Sequence, residues 1–130
     1  MDLTPRTTTY QTSRQDWLGS AHGTDATESV TLNLALFTAG THFPNLYLAS
    51  GEPLGKVTAS GLYGPYDDAA VDGRAVAVGV LYTDVSVPAG VTTGNFGAAI
   101  LTHGRVINAL LPRVIDAAGI VDVAGRIRVV

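Results

Sequence analysis

The residues that could do chemistry in this chain are few, and their spacings decide against most of it. Residues 51–58, Gly-Glu-Pro-Leu-Gly-Lys-Val-Thr, resemble a phosphate-binding loop at first sight. Such a loop needs four residues between its glycines and a Ser or Thr directly after its lysine. Here three residues separate Gly51 from Gly55, Lys56 is followed by Val57, and Pro53 removes an amide that should face phosphate. The stretch therefore reads as a turn-rich segment. His22, His42 and His103 are too far apart in sequence for two of them to be paired metal ligands on one helix or hairpin, so each reads as a surface or locally hydrogen-bonded side chain. Asp67 and Asp68 are adjacent and Asp72 follows. In a Gly-Pro-Tyr loop with no neighbouring lysine or histidine to tune them, they read as solvated turn residues. No Gly-x-Ser-x-Gly elbow is present, and the absence of cysteine removes thiolate catalysis and cysteine-based zinc sites. The expectation is no catalytic residue, no metal and no cofactor.

The elements that carry these residues are mainly β. Along residues 75–82, Val76, Val78, Val80 and Tyr82 alternate with Ala75, Ala77, Gly79 and Leu81. Both faces are uncharged and one is small, the pattern of a strand buried on both sides with a second layer of backbone close by. Val30, Leu32, Leu34 and Leu36 alternate in the same way and predict the first strand of the body. Glycines recur every few residues from 50 to 67, which predicts short strands joined by tight turns. Residues 94–102 and 105–108 flank His103-Gly104 and predict a hairpin. Leu111, Val114, Ile115 and Ala118 follow a helical period, with Pro112 in the first turn and Gly119 as C-cap, and predict one helix. The alternation of Ile127 and Val129 with Arg126 and Arg128 predicts a final paired strand with a wet face.

Length and charge set the outer bounds. A chain of 130 residues suits a single domain that needs no disulfide or metal staple. A net charge of -3, with lysine only at Lys56, gives no electrostatic ground for a nucleic-acid partner. No apolar run nears the roughly 18 residues of a membrane span, and no signal-peptide pattern opens the chain. The expectation is a soluble protein, made in the cytoplasm of its host cell and not secreted by the usual route, with no membrane partner.

Residues 1–27 differ from the body expected over 28–130. They are crowded with threonine and serine, and their large apolar residues are only Leu3, Tyr10, Trp17 and Leu18, too little apolar surface to offset the entropy of ordering. This predicts a flexible N-terminal arm. Within it Thr7, Thr8, Thr9, Tyr10, Gln11 and Thr12 are β-favouring and uncharged, suited to adding a strand to a foreign sheet edge, with Tyr10 and Trp17 as anchors.

The ordered set formed by residues 51–58, 61–67 (Gly-Leu-Tyr-Gly-Pro-Tyr-Asp), 79–85 (Gly-Val-Leu-Tyr-Thr-Asp-Val), 102–106 (Thr-His-Gly-Arg-Val), 110–112 (Leu-Leu-Pro) and 124–130 resembles the head decoration proteins of lambda-like tailed bacteriophages. The likeness covers most of residues 30–130. It implies a small β body of the β-clip or β-tulip kind and a homotrimer seated on the outer surface of an expanded phage head. There the trimer would bind the major capsid protein, partly through its N-terminal arms, and hold the shell against packaged DNA. Two rival readings come from other classes. A trimeric β-clip nucleotide hydrolase resembling dUTPase would use Asp67, Asp68, Asp72 and Gly73 with Mg²⁺. A virion-surface adhesion or carbohydrate-binding module would act on the host surface, where the arm has no use.

Overall fold

A computed structural model of the protein describes Leu3 and residues 15–130. Among the described residues nine short strands carry the architecture: β1 (Glu28–Asn33), β2 (Tyr47–Leu48), β3 (Pro53–Lys56), β4 (Tyr63–Pro65), β5 (Ala77–Leu81), β6 (Val85–Ser86), β7 (Asn95–Leu101), β8 (Gly104–Val106) and β9 (Ile127–Val129). A single helical turn, α1 (Ala39–His42), and one longer helix, α2 (Ala117–Val123), complete the regular structure with two 3-10 turns. The class is mainly β, as the alternating patterns predict. β1, β4, β3, β5 and β7 close into a barrel in that order. β2 pairs with β6 and β8 with β9 as two separate two-stranded sheets.

β5 and β7 form a wall between two hydrophobic cores. On one side Leu32, Leu54, Leu81 and Ile100 pack with Phe37, Phe43 and Leu48. On the other Ala77, Val80 and Leu101 pack with Trp17, Val106, Ile115 and Val123. The double burial of β5 is what two uncharged faces require, and the small face serves the expected purpose. A Cβ on Gly79 would lie 2.3 Å from the Leu101 carbonyl oxygen, so the two backbones approach as only glycine permits.

Strict alternation along β5 nevertheless fails. Leu54 pairs with Gly79 but Gly55 pairs with Ala77, so Val78 is an extra residue, a β-bulge. The bulge shifts parity by one, which is why Ala77 joins Val80 in one core while Val78 packs against the other. Arg126 donates from Nη1 to the Val78 carbonyl at 3.0 Å and satisfies a group that the interrupted ladder leaves over.

Three expectations are corrected. β1 ends at Asn33, whose side chain accepts from the Ala35 amide and turns Leu34–Leu36 into a 3-10 turn. Residues 94–102 and 105–108 do not form a hairpin: β7 pairs with β1 and β5, while β8 runs parallel to β9. Between them Gly104, at φ +139°, redirects the chain to run alongside β9. The helix starts later than Pro112. Asn108 clamps Ile115 by accepting from its amide at 2.7 Å and donating to its carbonyl at 3.0 Å, which keeps that stretch irregular. Leu111 and Ile115 are still buried, so their spacing reflects core contacts made without a helix. Asp116 is the N-cap, accepting from Gly119 N–H at 2.8 Å. Gly119 thus lies inside α2, where a Cβ would meet Ile115 at 2.6 Å.

Gly79→Ala is expected to destabilise the protein by about 2–3 kcal/mol, since the methyl group meets backbone and no flexible side chain can yield. Urea unfolding of the two proteins measures this, and an unchanged midpoint would mean that β5 and β7 separate freely.

Candidate functional site

The chain enters the described body at Gln15, and the next few residues fix how. Trp17 is buried in the core between β5, β8 and α2, with an indole N–H that would be unsatisfied without a partner. Nε1 donates to Ser50 Oγ at 3.0 Å, and Ser50 Oγ in turn donates to the Tyr82 carbonyl at 2.8 Å. The Gln15 side-chain amide donates to that same carbonyl at 2.6 Å. Gly51, at φ +93°, lies so close that a Cβ would be 2.8 Å from the indole ring. The backbone is held as well: Ile107 N–H donates to the Trp17 carbonyl at 2.7 Å, Gly19 N–H to the Arg105 carbonyl at 2.8 Å, and Leu18 bridges Val106. Residues 17–19 therefore act as a short third strand beside β8 and β9.

This placement differs from the expectation for Trp17. Composition groups it with the arm as an external anchor, whereas its ring is part of the body's own core, and the ordered body includes residues N-terminal to position 28. Thr7, Thr8, Thr9, Tyr10, Gln11 and Thr12 lie outside the described residues.

A second polar constellation links three remote parts of the chain. Glu52, buried just before β3, accepts a charge-assisted hydrogen bond at Oε2 from Arg113 Nη1, and Arg113 Nη2 donates to the Thr41 carbonyl. His42 Nε2 lies 3.7 Å from Glu52 Oε1, and its Nδ1 accepts from the Thr38 amide at 2.8 Å, which fixes the neutral ring as the Nε2–H tautomer. Burial pushes the Glu52 carboxyl up to about 7 even though Arg113 pulls it down. Burial and the Arg113 charge together lower His42 to about 4. The arrangement joins α1, β3 and residues 112–116 through a carboxylate and a guanidinium. In the sequence Glu52 belongs only to a failed phosphate loop, and nothing in the spacing of 52 and 113 connects them.

The acidic loop is engaged in local structure. Asp67 Oδ1 accepts from the Ala69 amide at 3.0 Å. Asp72 is held below the usual carboxylate range by hydrogen bonds from Arg74, whose Nε lies 3.0 Å from Oδ2. His22 and His103 lie near one another, the His22 carbonyl against Gly104 and the His103 carbonyl against Gly23. Among the described residues no group of three or more His, Cys, Asp or Glu side chains could hold a metal ion.

A family model described as bacteriophage lambda head decoration protein D matches residues 9–117. The chain belongs to that head decoration family. Among curated proteins no match is found. Decoration of a phage capsid is thus the role of this decoration protein, in a structural rather than an enzymatic class, with the virion capsid as its location. The matched span begins before Trp17 and runs through the barrel, β8 and the Asn108 clamp.

In the decoration protein, Glu52 and His42 oppose one another in their effect on stability. The raised Glu52 contributes stability that is full below its ordinary range and lost as pH rises through about 7. The depressed His42 contributes stability that is full above its ordinary range and lost as pH falls through about 4. Arg113→Met leaves Glu52 buried without its countercharge. The expected cost is roughly 2–4 kcal/mol at pH 8, shrinking toward pH 5 as the carboxyl takes up a proton. Denaturant unfolding at the two pH values checks this, and an equal deficit at both would place the lost interaction elsewhere.

Proposed function

We propose that three copies of the chain assemble and cement the outer surface of an expanded phage head, clamping neighbouring major capsid subunits against the pressure of packaged DNA. The observation that carries this reading is the docking of residues 17–19 on β8 within a head decoration family member, because it gives a polar, strand-forming leader a firm base. Residues 7–12 add to a capsid sheet edge through backbone hydrogen bonds, and three tethered leaders turn weak single additions into avid attachment. Trp17 acts from inside the body as the fixed end of each leader. Self-association is supported by apolar side chains that this chain leaves exposed, Val114, Ile120 and Val121 around α2 and Val76 before β5. The acidic balance of the chain suits a position away from the DNA.

Because residues 15–19 belong to the body, the informative truncation removes residues 1–14 only. The full chain is expected to co-sediment with cognate expanded heads lacking decoration and to raise their resistance to heat. The truncated chain should retain its fold and its oligomeric state by sedimentation velocity but remain in the supernatant. Equal binding by both would overturn the role of the leader, and a monomer at working concentration would overturn the three-fold assembly.

A further inference from the structure

The basic side chains of the body are distributed unevenly. Arg74 is paired with Asp72 and Arg113 with Glu52. Arg105, Arg126 and Arg128 have no carboxylate partner among the described residues, and all three belong to the β8–β9 sheet or its entry. In the parallel register Arg105 stands directly opposite Arg128, both exposed, with Val106 and Ile127 buried on the opposite face. Like charges facing each other across a strand pair destabilise the sheet, and a single acidic residue at either position would remove the repulsion. A cleft of about 440 Å³ beside the pair is lined by His22, Gly104, Arg126 and Arg128, with no acidic residue in its wall. The chain as a whole carries -3, so this concentration of positive charge runs against its own average.

We infer that the arginine face of β8 and β9 is a docking surface for a carboxylate-rich patch of the capsid protein. The inference rests on the decoration reading above and deepens it by naming the surface and the chemistry it meets. Charge complementarity is one ground: a guanidinium presents a planar fork that matches a carboxylate in two hydrogen bonds. Continuity is the other. Gly19 donates to the Arg105 carbonyl and Leu18 bridges Val106, so the segment that leads to residues 1–14 lies in the same small sheet as the arginines. A partner that receives the leader is brought against this sheet. A duplex is the poorer occupant, since phosphate-driven binding draws on roughly 6–10 neutralised contacts and the chain as a whole is acidic on balance.

The test compares the full chain with Arg105→Glu, Arg128→Glu and the double variant, each bound to cognate expanded heads lacking decoration over a range of salt. Arg105→Glu sets opposite charges across the register, so it is expected to raise the thermal midpoint while weakening attachment, which a purely structural role would not do. The double reversal is expected to lower affinity at low salt by at least roughly tenfold and to flatten its salt dependence. Unchanged affinity and salt dependence in all three variants would overturn the inference. So would loss of binding to a plain DNA duplex by the double variant with head binding unchanged, which would assign the face to nucleic acid. A wild-type chain that leaves heads bare would sink the decoration mechanism and this surface together, whereas wild-type binding that the reversals leave intact sinks only the surface.

Discussion

The contact between Gly79 and the Leu101 carbonyl is the constraint from which the remaining architecture follows. It lets β5 and β7 come together closely enough to serve as a shared wall, and a shared wall is how a short chain can maintain two cores without cross-links. Each side then needs a cover. Leu32 and Leu54 of the barrel with Phe43 after α1 supply one; Trp17, β8 and α2 supply the other. The bulge at Val78 allows both covers to fit, because it turns Ala77 toward the outer core while Leu81 stays with the barrel. Arg126, which caps the bulge, couples the barrel to the sheet that receives the N-terminal segment.

Much of this was legible in the residues. The two uncharged faces of residues 75–82 specify a doubly buried strand, the glycine-rich stretch from 50 to 67 specifies short strands, and Ile127 with Val129 specifies a paired final strand. Side-chain hydrogen bonds defeat the sequence reading wherever they override local periodicity. Asn33 ends β1 early, and Asn108 holds Ile115 out of a helix whose apolar spacing is otherwise adequate. A bulge is invisible to a period of two, since it is fixed by the partner strand. Trp17 shows a limit of composition: one indole in a polar stretch lowers the average little but contributes a large apolar surface, and Ser50 supplies the partner for its N–H.

Buried charge in this protein acts as connection. Glu52, Arg113 and His42 are far apart in sequence, and their geometry ties α1 to the stretch before α2 in a region where regular pairing is sparse. A buried ion pair adds little net stability over an apolar replacement, but it penalises arrangements in which either partner is left alone. That penalty favours one placement of the irregular segments. Arg105 and Arg128 follow the opposite logic: they are exposed, without a carboxylate partner among the described residues and placed opposite one another, so their electrostatic energy is available to something outside the chain.

The way residues 17–19 lie along β8 also has a mechanical side. A pull on the leader directed along the strand would load the hydrogen bonds at Trp17 and Gly19 together, as a lap joint shares strain over its length, whereas a pull at right angles would open them in turn like a peeled tape. The indole, seated beneath Gly51 and hydrogen-bonded to Ser50, is a stop knot that has to be drawn through packed side chains before the joint slips. Force applied to the chain ahead of Gln15 would accordingly be delivered to the interior wall of the body.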